Sequence, residues 1–174
     1  MQKLSAVGTG FPAFYNDDVG IRMLMNKGIP LKEAYDWNPA GCVETNLDGR
    51  LRHYSAFADI NLGGIIEFAL TNGVNRKTGR KVATETGDPT TFETYEDFEN
   101  AVKEQLKYSV RICVKGSHII DDICMDRIVP ALSLSFRECV KNAKDYAWGG
   151  AKYNTGNGII LIGVADLINS MEAI

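Results

Sequence analysis

Apolar residues recur at steps of three and four in five stretches of this chain, separated by clusters of glycine, proline, asparagine and aspartate. The first stretch follows an aromatic, turn-rich opening, Gly8-Thr9-Gly10-Phe11-Pro12-Ala13-Phe14-Tyr15. It predicts a helix over 19–26 with Val19, Met23 and Leu24 on its buried face, capped by Asn16 or Asp17 and stopped by Gly28. Leu31 to Tyr35 predicts a second short helix. Asp36 to Asn46 has neither period and predicts a loop. Gly63 to Leu70 sets Ile65, Ile66, Ala69 and Leu70 on one stripe, with Asn72-Gly73 as its stop. After a polar connection through Lys77-Thr78-Gly79-Arg80 and Thr86-Gly87-Asp88-Pro89, Thr94 is placed to cap a long helix. In it Phe98, Ala101, Val102, Leu106, Val110 and Cys113 define one face, and the pattern runs on towards Met125. Pro130 opens a further helix carrying Leu134, Phe136 and Cys139, and Gly149-Gly150 ends the helical region. Ile159 to Ile162 suits a short strand or buried turn, and Val164 to Ile174 an amphipathic helix.

Composition narrows the classes this pattern allows. The 174 residues are 45% hydrophobic and 24% charged, values of an ordinary globular domain, so one domain over 1–174 is expected. The net charge of -3 comes from 19 basic and 22 acidic residues spread along the chain, which leaves no basic face for nucleic acid or an anionic membrane. No apolar run approaches the roughly 18 residues of a membrane span, and the start has no signal-peptide core, so a cytoplasmic protein acting on small molecules is expected. The cysteines at 42, 113, 124 and 139 match neither a metal knuckle nor a disulfide framework. Three of them sit in helical apolar patterns as small hydrophobes. Cys42 differs, lying between a glycine and a polar stretch.

That position makes Cys42 the first candidate for chemistry. In an extended segment side chains at i and i+2 share a face, so Cys42 and Glu44 can present a thiol and a carboxylate to one substrate while Val43 points away. Gly41 permits close backbone approach. Other features read more plainly. Gly8-Thr9-Gly10 lacks the Lys-Ser/Thr of a phosphate loop, and Asp121-Asp122 with Asp126 reads as a solvated helix face rather than a metal site. Lys77 to Lys81 reads as an exposed turn. His53, in the polar Arg50-Leu51-Arg52-His53-Tyr54 segment, is expected at the surface, and His118 in the core or boundary of a helix. Neither a bound cofactor nor a metal is expected in this chain.

The segment Gly41-Cys42-Val43-Glu44 resembles the Gly-Cys-[Val/Ile]-Glu loop of glycyl radical eliminases and decarboxylases in the pyruvate formate-lyase family. The resemblance extends through Glu67-Phe68-Ala69-Leu70-Thr71-Asn72-Gly73-Val74-Asn75-Arg76-Lys77-Thr78-Gly79, Thr86-Gly87-Asp88-Pro89, Pro130-Ala131-Leu132-Ser133, Glu138-Cys139, Gly149-Gly150-Ala151-Lys152-Tyr153-Asn154 and Ala165-Asp166-Leu167, in the family's order. It implies a helix-rich α/β chain forming part of a ten-stranded α/β barrel, with the thiyl-cysteine loop at 39–46. It implies Cys42 as the thiyl residue and Glu44 as its acid/base partner. A sulfur suits the first role because its S–H bond is close in strength to an activated C–H bond, and a carboxylate within hydrogen-bond reach suits the second. A dry interior protects such radicals.

The same resemblance sets expectations about completeness. The family's radical glycine lies in an Arg-Val-x-Gly-Tyr type loop, which does not occur in this sequence. Family members are several times longer, so the chain is expected to be a fragment, inactive alone and exposing apolar surface. Its glycyl radical would be installed in the complete enzyme by a radical S-adenosylmethionine iron-sulfur activating enzyme. The partners implied are a small-molecule substrate, that activating enzyme, and the remaining barrel or a homodimer partner.

For the reaction, Thr45-Asn46-Leu47 replaces the proline that follows Gly-Cys-Val-Glu in many eliminases and more closely resembles the arylacetate decarboxylases. An arylacetate decarboxylase is therefore expected, with Glu138 as a possible second carboxylate for the ring substituent or else a solvated helix residue. The alternatives are a dehydratase or eliminase acting on a small polyol or amine alcohol, and an inactive remnant. Pyruvate formate-lyase proper carries two adjacent cysteines at this loop. Gly41 stands where the second would be, which disfavours that thiolysis.

Overall fold

The computed structural model describes residues 3, 6–8, 14–41 and 44–173, the side chains of Tyr54 and Ser55 excepted. The elements in chain order are α1 (Asp17–Asn26), α2 (Leu31–Ala34), β1 (Asn38–Ala40), β2 (Glu44–Asn46), β3 (Leu51–Asn61), α3 (Leu62–Leu70), α4 (Tyr95–Met125), α5 (Pro130–Ser133), α6 (Arg137–Lys141), β4 (Tyr153–Ile162) and α7 (Val164–Glu172). Short 3-10 turns cover Pro89–Thr91 and Tyr146–Trp148. Strand β1 pairs antiparallel with β2, and β3 pairs with β4. The chain divides into two compact units, Met1–Ser55 with Ile128–Thr155 and Ala56–Arg127 with Gly156–Ile174.

In the first unit Asn16 caps α1, its side chain accepting from the Asp18 amide at 2.9 Å. The buried positions of α1 are Gly20 and Leu24, whereas Val19 and Met23, expected on that face, are 53% and 45% exposed. The reason is Trp37, whose indole lies so close to Gly20 that a β-carbon there would stand 2.5 Å away. Its Nε1 donates to Asp17 at 2.9 Å and fixes that approach. Leu24 packs with Ile29, Ala34, Leu47 and Leu51, which places the β1–β2 hairpin over a small apolar core.

The helix expected to run from Pro130 through Cys139 is instead two short helices, α5 and α6. Asp145 causes the break. Its carboxylate accepts from the Val129 and Ala147 amides and from the Ser133 hydroxyl, while Ser133 Oγ accepts from the Tyr146 amide at 2.8 Å. These bonds tie the end of α5 to the 3-10 turn instead of letting it continue. Burial pushes the Asp145 carboxyl up, but the bonds from Ala147, Ser133 and Val129 outweigh it and hold the group below its ordinary value. A carboxylate depressed in the folded state stabilises above its unfolded range, and that stability is lost as pH falls through the folded value.

The second unit follows the predicted pattern closely. Helix α3 is capped by Asn61, which accepts from the Gly64 amide at 3.1 Å, and buries Leu62, Ile65, Ile66 and Ala69. Thr94 and Asp97 form a reciprocal capping box at the start of α4. Phe98, Ala101 and Val102 of α4 pack on α3, with Leu106, Cys113 and Leu167 partly buried beside them. Beyond that half, α4 turns apolar residues outward, including Ile112, Ile119 and Ile123, and Val164 and Ile168 of α7 do likewise, as expected of a chain exposing apolar surface. Asn72 and Gly73 end α3 with φ of 52° and 79°. Among the described residues no helix is long and apolar enough to cross a membrane.

Gln105, absent from the predicted core, is its polar pin. The side chain is fully buried, and its Nε2 donates to the carbonyls of Thr84 (2.7 Å) and Phe68 (3.4 Å) and to Thr86 Oγ1 (3.2 Å). It thereby clamps the 84–86 connection to the end of α3. Gln105→Leu keeps the volume but takes the side-chain donor from the Thr84 carbonyl, while the Phe68 carbonyl keeps the Gly73 amide at 2.8 Å, and should cost about 2 kcal/mol. A lowered urea midpoint with unchanged slope is the expected signature, and an unchanged midpoint would show that water replaces the clamp.

Candidate functional site

The segment expected as an irregular loop is a tight hairpin. The register Asn38↔Asn46, Pro39↔Thr45 and Ala40↔Glu44 leaves only Gly41, Cys42 and Val43 between the paired ends. Cys42 and Val43 lie outside the described residues. Glu44 opens β2, and strand alternation puts it on one face with Asn46, while Thr45 points the other way and donates to the Met23 sulfur at 3.6 Å. The Glu44 face is therefore turned away from α1. Asn46 Nδ2 donates to Asp48 at 2.7 Å, which holds the exit of the hairpin.

Gly41 adopts φ +57°, the left-handed region that glycine enters without strain. The Glu44 carboxyl group folds back over its α-carbon. A β-carbon on Gly41 would stand 2.7 Å from Glu44 Oε2 and 3.1 Å from both Cδ and Oε1.

His53, on β3, belongs to the electrostatic surroundings of this carboxylate. It is half-buried rather than at the surface, and its Nδ1 is buried with no hydrogen-bond partner among the described residues. Burial pushes the imidazole below its ordinary value of 6.5, the charge of Lys27 pushes the same way, and the charge of Glu44 opposes both. Tyr146 donates its hydroxyl to the His53 carbonyl at 3.3 Å, and the Arg52 guanidinium lies 5.7 Å from the Tyr146 ring centre. Removing the Glu44 charge with Glu44→Gln should lower the His53 value further, followed by the imidazole carbon shift across a pH titration. An upward movement would mean that the two side chains do not share a field. Because the folded value lies below the unfolded one, acid in that window protonates the unfolded chain first and favours unfolding.

Glu138 is half-buried on α6, a separate helix from the one that Pro130 opens. It lines a cavity of about 490 Å3 with Lys32, Glu33, Asp36, Arg50, Arg137 and Lys152, and Glu44 is not among the residues lining that space. Lys152 pairs with Glu33 at 2.5 Å and Arg50 with Asp36 at 2.7 Å. The hydrogen bond from Lys152 holds the Glu33 carboxyl below its ordinary value, and the bond to Asp36 raises Arg50. This is a mixed-charge cluster, and Glu138 belongs to it.

His118 is exposed on α4 rather than at a core or boundary position. Cys113, Cys124 and Cys139 are free thiols, and burial pushes the Cys139 thiol up, away from reactivity. Two features escaped the sequence reading: the partly buried His53 and the fit between Gly41 and Glu44. A glycine three residues before a glutamate is the trace of the second in the sequence.

A family model described as pyruvate formate lyase-like matches residues 1–174. The trans-4-hydroxy-L-proline dehydratase of Clostridioides difficile is 35% identical over 173 residues, covering 99% of this chain and 22% of that protein. The crystal structure of hydroxyproline dehydratase from the same organism, with trans-4-hydroxy-L-proline bound, superposes with a TM-score of 0.88 at 34% identity, over 94% of this chain and 21% of that one. The glycyl radical subunit of 4-hydroxyphenylacetate decarboxylase from Clostridium scatologenes is 25% identical over 190 aligned positions, 97% of this chain and 21% of that protein. The chain spans about a fifth of the length of these relatives.

Proposed function

Since this chain belongs to the pyruvate formate lyase-like family of glycyl radical enzymes, as a helix-rich part of their ten-stranded α/β barrel, we propose that it is the thiyl-bearing segment of a glycyl radical dehydratase. The substrate class is a small hydroxylated compound, a polyol or an amine alcohol. The arylacetate decarboxylation expected from Thr45-Asn46-Leu47 gives way to this reading, because the dehydratase relative is 35% identical and the decarboxylase relative 25%. Three residues after the motif are a smaller signal than identity along the chain.

In this reading two side chains divide the reaction. The family's protein glycyl radical supplies the site that receives the Cys42 hydrogen atom and so makes the thiyl radical. Cys42 then takes a hydrogen atom from the substrate carbon next to the one bearing the departing hydroxyl. Glu44 takes the proton from the hydroxyl or amine on the radical carbon and delivers it to the departing hydroxyl, so the C–O bond breaks, water leaves and the carboxylate is restored. The product radical takes the hydrogen atom back from Cys42. Substrate loses one water, and the thiyl is regenerated.

The observation that carries the proposal is the hairpin, which holds Glu44 two residues from Cys42 in sequence and folds its carboxylate onto the Gly41 turn. The test is anaerobic assembly of a glycyl radical enzyme holding this chain as its thiyl segment, activated by a radical S-adenosylmethionine enzyme and given trans-4-hydroxy-L-proline, glycerol or 4-hydroxyphenylacetate. Water loss from a hydroxylated substrate, without carbon dioxide from the arylacetate, is the expected outcome. Carbon dioxide from 4-hydroxyphenylacetate with no dehydration would restore the decarboxylase.

A further inference from the structure

We propose that Gly41 is a positioning residue, whose missing side chain is the seat of the Glu44 carboxylate, so that the hairpin holds either a side chain at 41 or a carboxylate at this place, never both. The inference deepens the proposed function and rests on its assignment of Glu44 as the proton carrier. It starts from geometry. The pair Ala40↔Glu44 closes the hairpin over three residues, and the carboxyl returns over the first of them. All three outer atoms of Glu44 lie within 3.1 Å of where a β-carbon on Gly41 would stand, the nearest at 2.7 Å. Real β-carbons are not found that close to a heavy atom, so any L residue at 41 moves the carboxylate.

The obstruction is the far end of a flexible side chain, which decides what kind of harm results. Glu44 can swing aside, so the fold tolerates the collision. The displaced carboxylate no longer faces the proton it is to carry, and a misplacement on the order of 1 Å can cost about 10²-fold in rate. Gly41 also holds φ +57°, so a substitution has a second, separate effect through the backbone. The two effects are separable because asparagine tolerates the left-handed backbone far better than alanine yet carries the same β-carbon. A cysteine at 41 meets the same exclusion, so two adjacent thiols and a seated Glu44 are mutually exclusive in this hairpin.

The experiment is a double-mutant cycle in the assembled, activated enzyme, with the glycyl radical counted by electron paramagnetic resonance to show that each variant is intact. Gly41→Ala and Gly41→Asn should each lower kcat by about 10- to 10²-fold with KM little changed. In a Glu44→Ala background, where no carboxylate needs a seat, Gly41→Asn should cost less than about 3-fold, since coupled residues depart from additivity. Recovery of kcat by Gly41→Asn would reduce the role of Gly41 to its backbone angle and overturn the proposal. So would an equal loss from Gly41→Asn in both backgrounds. If Glu44→Ala alone leaves turnover untouched, the acid/base reading falls first and takes the seat with it.

Discussion

Cys42→Ser in the assembled enzyme should give no turnover of any substrate while leaving the glycyl radical at its full count. The reason is bond strength. A serine O–H bond is far stronger than the S–H bond it replaces, so the hydrogen atom cannot pass to the glycyl radical, and the alkoxyl radical that would attack substrate never forms. A nucleophilic cysteine would behave differently, because serine supports slow acyl or group transfer when a base stands beside it. The loss therefore separates a hydrogen-atom relay from a polar mechanism. Electron paramagnetic resonance on the resting variant, together with assays for loss of water and of carbon dioxide, distinguishes a silent but activated enzyme from one that never received its radical. Measurable turnover by Cys42→Ser would end the thiyl assignment. A missing glycyl radical signal would point instead to failed activation, and would be resolved by repeating the count with Cys42→Ala.

The parts of the fold readable in the sequence were those whose signal is local. Thr94 with Asp97 three residues later, then Phe98, Ala101 and Val102 at helical steps, specify the start and buried face of α4 without tertiary help. Asn72-Gly73 likewise marks the end of α3, because both residues adopt positive φ there. Strand β3 carried no such signal. Leu51 and Arg52 are adjacent and both buried, so the period of two that identifies a half-exposed strand is missing at its start. The β1–β2 hairpin was hidden for a different reason: its strands are three residues each, too short for a period, and one contains Pro39. The break between α5 and α6 depends on Asp145, twelve residues after the Ser133 that it binds. No local pattern at Pro130 can report a competitor that far along the chain.

The candidate site divides along the same line. Cys42 and Glu44 stand out by residue type and spacing, and the loop that holds them is one of several segments that carry the family resemblance. The relation of Glu44 to Gly41 does not stand out, because it is made by the Glu44 side chain turning back across the hairpin. The charged neighbours of His53 predict a surface position, yet Arg52 is only 7% exposed and His53 is half-buried on the same strand. The substrate was the least legible element. The identities of Thr45 to Leu47 point to an arylacetate decarboxylase, whereas along the whole chain the dehydratase relative is 35% identical and the decarboxylase relative 25%.

Glu44→Gln should lower kcat by about 10² to 10⁴-fold while the glycyl radical and the hydrogen-atom relay survive. Glutamine has nearly the shape of glutamate, so it can occupy the same seat over Gly41 and keep the hairpin closed. What it lacks is a basic oxygen able to take a proton and return it. The hydrogen-atom half of the reaction is untouched, which gives the variant a signature that a merely misfolded enzyme does not have. Incubated with substrate deuterated at the carbon that meets Cys42, it should exchange deuterium with the Cys42 thiol and, through it, with solvent, while releasing water only slowly. Exchange without elimination is the expected pattern. Loss of exchange and elimination together would place Glu44 in substrate binding rather than proton transfer, and undiminished dehydration would show that another group carries the proton. The His53 titration in the same variant supplies an independent reading, because a fall in its value reports that the Glu44 charge is gone whatever the rate does.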